Sequence, residues 1–270
     1  DPWTFSTKGK NTKDLRMLLW SSIDNYDSMD LDQMEFCERG QNDEIFVKVA
    51  IADVDYYVQK QSRTDKHAGY NGTSVYTGIE TFPMLPDKLS KGISSLLPGD
   101  DHLAIVIEYT VVDSGDVRPG EIYRAIVSNK AKLIYEEVGD WLEGTGDIPK
   151  IILDVSGLKE QIHLQCETAR RLKKRRMEQG ALDLETIEAD AVVEGDLVRD
   201  LVVQKKNMAR SIIEEFMVAA NGTMVNYLGK AGIPMIQRVV RTPRFWDEIV
   251  QTAAIYGETL PEEPDSKALS

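Results

Sequence analysis

The sequence predicts an α+β fold, a mixed β-sheet framed by helices. Three observations carry this reading. The β-type runs fall between residues 45 and 127, most of the turn formers lie among them, and helical periodicity takes over from residue 155. An alternating doubly wound sheet would interleave strand and helix patterns along the whole chain.

Taken in order, residues 1–20 are a polar lead-in that ends in the apolar stretch Leu15 to Trp20, and residues 21–270 are read as one domain. An acidic segment follows, interleaved with Ile23, Met29, Leu31 and Met34, which hold it against a core. Ile45 to Ile51 is β-rich and apolar on both faces, as a central strand would be. Residues 62–100 contain Asn71-Gly72, Pro83, Pro86 and Pro98-Gly99, and read as a long, compact, mostly irregular region. His102 to Val112, the turn Asp113 to Asp116, and Glu121 to Val127 make a hairpin.

The later part is helical. From Val155 to Met177, Leu158, Ile162, Cys166, Ala169 and Leu172 recur three or four apart, and Gly180 is the stop. Met208 to Tyr227 places Ile212, Ile213, Phe216, Met217, Ala220 and Val225 on one helical face. Thr242-Pro243 is placed to cap a last helix over residues 245–256.

Composition is that of a globular protein, with 42% apolar and 29% charged residues in 270. No stretch approaches the roughly 20 apolar residues of a membrane span, and no signal peptide opens the chain. Cys37 and Cys166 lie far apart, so a reduced, cytoplasmic protein with both thiols as core filler is expected. The net charge of −13 argues against a general polyanion binder. The positive charge is nonetheless concentrated, at Arg170, Arg171, Lys173, Lys174, Arg175 and Arg176 and again at Arg238, Arg241 and Arg244. The first of these groups spans two helical turns, so most of it points to solvent and only a subset could contact phosphates. The three histidines occur singly and suggest no metal site. The first residues, Asp1-Pro2, and the linker-like Pro261 to Asp265 read as parts of a longer protein, truncated on its C-terminal side.

The acidic segment places Asp24, Asp27, Asp30 and Asp32 within nine residues. Holding several anions together in a fold costs several kcal/mol unless a cation shares the space. Divalent metals with oxygen ligands are the economical partner, and phosphate chemistry is what they commonly serve. On an extended chain Asp30 and Asp32 face the same way. A calcium loop is excluded, since no register supplies its glycine at position 6 and acid at position 12. A solvated acidic turn is the competing reading of the same spacing.

Several blocks, taken together, resemble the ribonuclease II (RNB) family. They are Ser22-Ile23-Asp24 through Asp30-Leu31-Asp32, Ile51-Ala52-Asp53-Val54, and Phe82-Pro83-Met84-Leu85-Pro86 with Leu89-Ser90 and Ser94-Ser95-Leu96. They continue through Lys132-Leu133-Ile134-Tyr135, Gly180-Ala181-Leu182-Asp183-Leu184 and Ile213-Glu214-Glu215-Phe216-Met217-Val218-Ala219-Ala220-Asn221. The resemblance implies a catalytic domain with a buried RNA channel. Its activity would be 3′-to-5′ exoribonucleolytic, degrading single-stranded RNA processively to nucleoside 5′-monophosphates with Mg2+.

By the resemblance, Asp24, Asp30 and Asp32 match catalytic aspartates at the metal site. Tyr135 matches a tyrosine beside the scissile nucleotide, Tyr76 an aromatic that stacks on bases, and Glu214 a glutamate facing the RNA. Glu215 is its immediate neighbour, and only one of the two can face inward on a helix. Asp53 is read as an anchor of the fold. Leu184 stands where many relatives have a clamping aromatic. Gln33 occupies the position of a further catalytic aspartate. An amide offers a carbonyl oxygen but no charge, and Asp27 and Glu35 are the carboxylates available to compensate. The family's Ser-Pro-Ile-Arg-like motif does not follow Asn221, which predicts low turnover for this chain alone. Two other readings stay open: a weakened RNA-binding scaffold of the same fold, and a phosphoesterase acting on small nucleotides.

Overall fold

The computed structural model describes residues 12–77, 80–182, 189–194, 197–203, 206–237 and 243–269. The chain runs through β1 (Thr12–Asp14), β2 (Ser21–Asp24), β3 (Gln33–Arg39), β4 (Ile45–Ala52), α1 (Val54–Tyr57) and α2 (Arg63–Asn71). It continues with β5 (Val75–Tyr76), β6 (Thr81–Phe82), a π-helical turn (Leu89–Ile93), β7 (His102–Val111), β8 (Val117–Val127) and β9 (Ala131–Ile134). Next come α3 (Tyr135–Glu143), α4 (Lys150–Asp154), α5 (Leu158–Glu178), β10 (Ala189–Glu194), β11 (Leu197–Val203) and α6 (Met208–Lys230). The last elements are α7 (Trp246–Ile255) and α8 (Ser266–Leu269).

Seven strands form one sheet in the order β1-β8-β7-β4-β3-β2-β9, so β4 is central as expected. The sheet is mixed. β1 runs parallel to β8, and β2 parallel to β9, while the strands between pair antiparallel. Residues 12–20, expected as a lead-in, thus contribute an edge strand. The apolar character of β4 is less symmetric than expected. Ile45, Val47 and Val49 are buried on one face, whereas Phe46 is exposed and Lys48 pairs with Glu108 on the other.

A core fills each face of the sheet. On one side Ile23, Cys37, Val47, Val49 and Leu133 pack against α3, α5 and α6, with Ile162, Ala169, Ile212 and Phe216 among the contacts. On the other side Trp20, Leu31, Met34, Ala50, Leu96 and Val106 form a smaller cluster. Leu158, Ile162, Cys166, Ala169 and Leu172 of α5 are all buried, so its periodicity correctly identified the inward face. Gly180, at φ +91°, follows the helix end as the predicted stop. Asn207 caps α6 by accepting from the Arg210 N–H.

Several expectations are corrected. The region 62–100 is only about half irregular: it contains α2, capped by Ser62 and closed by Gly72 at φ +72°, the short ribbon β5–β6 and the π-helical turn. No residue of α2 is buried, which left no hydrophobic periodicity to read. The helical half also includes the exposed ribbon β10–β11. The helix expected to be last, α7, begins at Trp246 behind Phe245, which makes no side-chain cap, and α8 follows it; Thr242 lies outside the described residues. The hairpin stands, with a bulge between Ile107 and Tyr109. Its turn lies so close to α5 that a Cβ on Gly115 would come within 2.3 Å of the Arg171 carbonyl oxygen.

One consequence of the topology positions the site. β2 pairs with β3 at Ser21↔Glu35 alone, leaving the β3 backbone beyond that point without a strand on that side. Gln161 of α5 replaces one: its Oε1 accepts from the Cys37 N–H at 2.6 Å and its Nε2 donates to the Cys37 carbonyl at 2.7 Å. On the other side of that pair, Ser22 to Asp24 pair with β9 and not with β3, so the two strands part before the loop that carries the acidic residues.

Candidate functional site

Asp24 closes β2, Asp30 and Asp32 lie in the loop before β3, and Tyr135 opens α3 directly after β9. The parallel pairing Asp24↔Ile134 brings Tyr135 beside the acids, although more than a hundred residues separate them. The structure thus brings together Asp24, Asp30, Asp32, Tyr76 and Tyr135. The remaining sequence candidate, Glu214, belongs to another group.

Asp24 is half-buried, and burial pushes its carboxyl above the usual range; repulsion from Asp30 adds to this, while the Asn25 N–H, at 2.7 Å, and Lys132 oppose it. Asp32 has open solvent access, yet burial is again the main influence raising its pKa, followed by the charge of Asp24. A side chain that touches water while crowded by protein lies in a depression. Asp30 accepts from the Tyr76 hydroxyl at 2.5 Å and from Ser28 Oγ at 3.2 Å. That bond raises the Tyr76 phenol to about 12, while 63% of the residue remains exposed. Tyr135 is half-buried and its phenol is pushed up by burial and then by Asp24 and Glu35.

Two cations at the site carried no signal in the sequence reading. Lys132 donates to the Tyr26 and Ser28 carbonyls at 2.9 and 2.5 Å and holds the acidic loop in place. Arg210 lies over the Tyr135 ring at 4.4 Å, with its Nη2 at 2.8 Å from Glu136 and 3.3 Å from Asn25. Lys132 opens one resembling block and Arg210 lies shortly before another, and only the fold shows which way they point. The basic stretch on α5 is largely committed elsewhere. Arg171 pairs with Asp43 and Glu167, Arg175 with Asp116, and Arg176 with Glu214 and Glu215.

Of the two adjacent glutamates, Glu215 is the one that faces inward. It is 2% exposed and held by Arg176 at 2.6 and 3.1 Å, a bidentate link between α5 and α6. Glu214 is more open and pairs with Arg176 at 3.0 Å and Lys206 at 3.5 Å. Asp53 is buried against Arg124 and serves the fold, as expected. Leu184 lies outside the described residues. A depression of 820 Å³ along Lys13, Glu121, Tyr123 and Arg124 contains none of Asp24, Asp30 and Asp32.

The donor chemistry of the cluster suits a hard divalent cation: the donors are oxygens, and their charges repel one another. Among the described residues, no three Asp, Glu, His or Cys side chains converge closely enough to enclose a metal as they stand. Among those residues, no helix is long and apolar enough to cross a membrane.

Fold and site together define a seven-stranded α+β domain with a cluster of carboxylates at the end of β2 and in the loop before β3, beside the start of α3. The sequence matches the RNB domain over residues 12–269, and the chain belongs to that family. It is 36% identical to ribonuclease R of Thermotoga maritima over 233 residues, covering 86% of this chain and 32% of that protein. It is 34% identical to ribonuclease R of Escherichia coli over 231 residues, covering 85% and 28%. The chain therefore spans about a third of the length of these relatives. The structure superposes on Mycoplasma genitalium RNase R in complex with ribose-methylated single-stranded RNA with a TM-score of 0.85, at 24% identity, over 97% of this chain and 41% of that one. Yeast Ssd1, a pseudonuclease, shares the fold with a TM-score of 0.72 at 15% identity, over 96% and 32%.

Proposed function

We propose that this chain is the catalytic domain of a 3′-to-5′ exoribonuclease that hydrolyses single-stranded RNA processively to nucleoside 5′-monophosphates in the cytoplasm. The observation that carries the reading is the meeting of Asp24, Asp30 and Asp32 with Tyr135 and Tyr76 in one depression of an RNB fold. Asp24 and Asp32, with Asp30 in support, would hold Mg2+. A divalent cation bound there supplies charge neutralisation at the phosphate and acidifies a water.

The chain's own residues supply the rest. Tyr76 is exposed enough to stack on a base while its hydroxyl steadies Asp30, and such stacking contributes about 1–3 kcal/mol per base. Arg210 fixes the Tyr135 ring and places positive charge beside the position of a terminal phosphate. Lys132 prevents the loop from relaxing away from its own negative charge. Stacking and phosphate contacts accept any base sequence, which suits a processive enzyme.

One observation favours a second reading. Gln33, 7% exposed, occupies the place of a carboxylate in the family pattern, and a weakened RNA-binding scaffold would tolerate that loss. The test is Asp32→Asn with labelled single-stranded RNA and Mg2+. The expected result is a loss of mononucleotide release of at least about a hundredfold with a far smaller loss of RNA affinity, because the interaction removed belongs mainly to the transition state. Equal release by parent and variant would remove Asp32 from the mechanism. Because low turnover is expected of this chain alone, RNA binding by the parent with no release at all under single-turnover conditions would favour the scaffold.

A further inference from the structure

The helix α2 adds nothing to the core: none of its residues is buried, yet both of its ends are closely tied. Ser62 Oγ accepts from the Asp65 N–H at 3.1 Å, and Asp65 Oδ2 accepts from the Gln61 N–H at 2.6 Å. At the other end Gly72, in the left-handed region, donates to the Ala68 carbonyl at 2.8 Å. A helix of 9 residues is too short to persist in water on its own, so these caps hold a surface in shape.

The two faces of α2 differ. Thr64, Asp65 and Ala68 are partly covered and turn toward the molecule. Arg63, Lys66, His67 and Tyr70 recur at the spacing of one helical face and form an exposed stripe. Lys60, just before the cap, is exposed as well. Many cations elsewhere are engaged: Arg16, Arg39 and Arg124 pair with carboxylates, as Arg171, Arg175 and Arg176 do. Among the described residues no carboxylate pairs with Lys60, Arg63 or Lys66. Asp65, the acid of α2, lies on the opposite face and is committed to the cap. Tyr70 is 91% exposed, so its ring gains nothing from the fold.

The stripe leads toward the acidic cluster. Tyr70 closely precedes Tyr76, whose hydroxyl bonds Asp30, and Ser74 Oγ pins the link by accepting from the Met84 N–H at 2.9 Å. The chain from Tyr70 to Tyr76 can reach about 20 Å at most, and Arg63 lies about 10 Å from Tyr70 along the helix axis. We propose that this face of α2 carries the upstream part of a single RNA strand whose 3′ end lies at the acidic cluster. Arg63 and Lys66 take phosphates and Tyr70 stacks on a base. This rests on the reading of the cluster given above. Unpaired cations about one helical turn apart, with an aromatic ring among them, suit a flexible polyanion that also has π-faces. A membrane surface fits less well, since α2 has no apolar face to insert.

The test is fluorescence anisotropy with labelled, hydrolysis-resistant single-stranded RNA over a range of monovalent salt. One strand is long, and the other is too short to reach from Asp30 to Tyr70. For the long strand, Arg63→Gln with Lys66→Gln should lower the slope of log affinity against log salt by about 1.4, or about 0.7 per contact. Tyr70→Ala should weaken its binding at least about fivefold with the slope kept, and Tyr70→Phe should bind like the parent, because the ring stacks and the hydroxyl does not. These variants should leave Tm and binding of the short strand unchanged, since the side chains are exposed. Arg170→Gln with Lys174→Gln, exposed cations beside the turn Asp113 to Asp116, removes the same net charge and should leave the slope nearly intact. An equal fall in that control would reduce the effect to net charge and overturn the proposal. A defect as large on the short strand would overturn it too, because the variants would then be acting at the cluster itself. If the double variant binds the long strand like a parent that still releases mononucleotides from cleavable RNA, α2 is overturned and the reading of the cluster stands. A parent that binds neither strand brings both down.

Discussion

At the scale of single residues, the site depends on carboxylates held where their ionised form is disfavoured. Glu35 is the extreme case: burial first, then Asp32 and Asp24, raise its pKa well above the ordinary value. Tyr135, Tyr109 and Cys37 also lie within reach of its charge, and none of them is a cation. The folded pKa exceeds the unfolded one, so the folded state binds more protons between the two values. The stability linked to this group is therefore fully present below the unfolded value of about 4.3 and is lost as pH rises toward the folded one. In metal-free buffer the parent should lose stability from pH 5 to pH 8 relative to Glu35→Gln, whose profile should be flatter. Melting both proteins across that range checks it, and parallel profiles would mean that the carboxyl stays neutral throughout.

Elements decide how these residues meet. The Asn207 side chain caps α6 and its Nδ2 donates to the Tyr135 carbonyl at 2.9 Å, so one amide fixes both the helix that carries Arg210 and the start of α3. A Cβ on Gly139 would come within 2.4 Å of that amide, which shows how closely α3 and α6 approach. Asn207→Ala should cost about 1–2 kcal/mol of stability, from the cap, and should lower turnover more than RNA affinity, because Tyr135 and Arg210 lose their alignment. Denaturant unfolding and single-turnover kinetics separate the two effects. The sequence made some of this legible. α5 has a long periodic pattern and its buried face follows directly; on α6 Ile212, Ile213, Phe216 and Ala220 are buried but Val225 is exposed, and β4, read as apolar on both faces, exposes Phe46 on one of them. β2 and β9 are four residues each, too short for a pattern, and their parallel pairing is a long-range fact. The acids could be named from their spacing and from family resemblance. The clip by Gln161, the stacking of Arg210 and the choice of Glu215 over Glu214 as the inward residue depend on helix docking, which no local window contains.

For the whole molecule, the question is how a chain of net charge −13 can bind a polyanion. The basic stretch of α5 does not answer it, because Arg171, Arg175 and Arg176 are already paired with carboxylates. Asp24, Asp30 and Asp32 add local repulsion where an RNA end would lie, with Lys132 and Arg210 as the cations beside them. The RNA contacts that survive in this field are stacking on Tyr76 and a few phosphate contacts. Divalent cation bound at the cluster would reverse the local sign, whereas monovalent salt would only screen it over about 8–10 Å. RNA affinity should therefore rise at least about tenfold on adding Mg2+ at constant ionic strength, as two charges neutralised at close range are worth more than diffuse screening. Calcium, which binds oxygen ligands and supports binding without need of turnover, should act in the same direction. Fluorescence anisotropy of the parent protein with a labelled, hydrolysis-resistant single-stranded RNA measures it. Affinity indifferent to divalent cation would place the RNA away from the acidic depression and on some other surface of the domain.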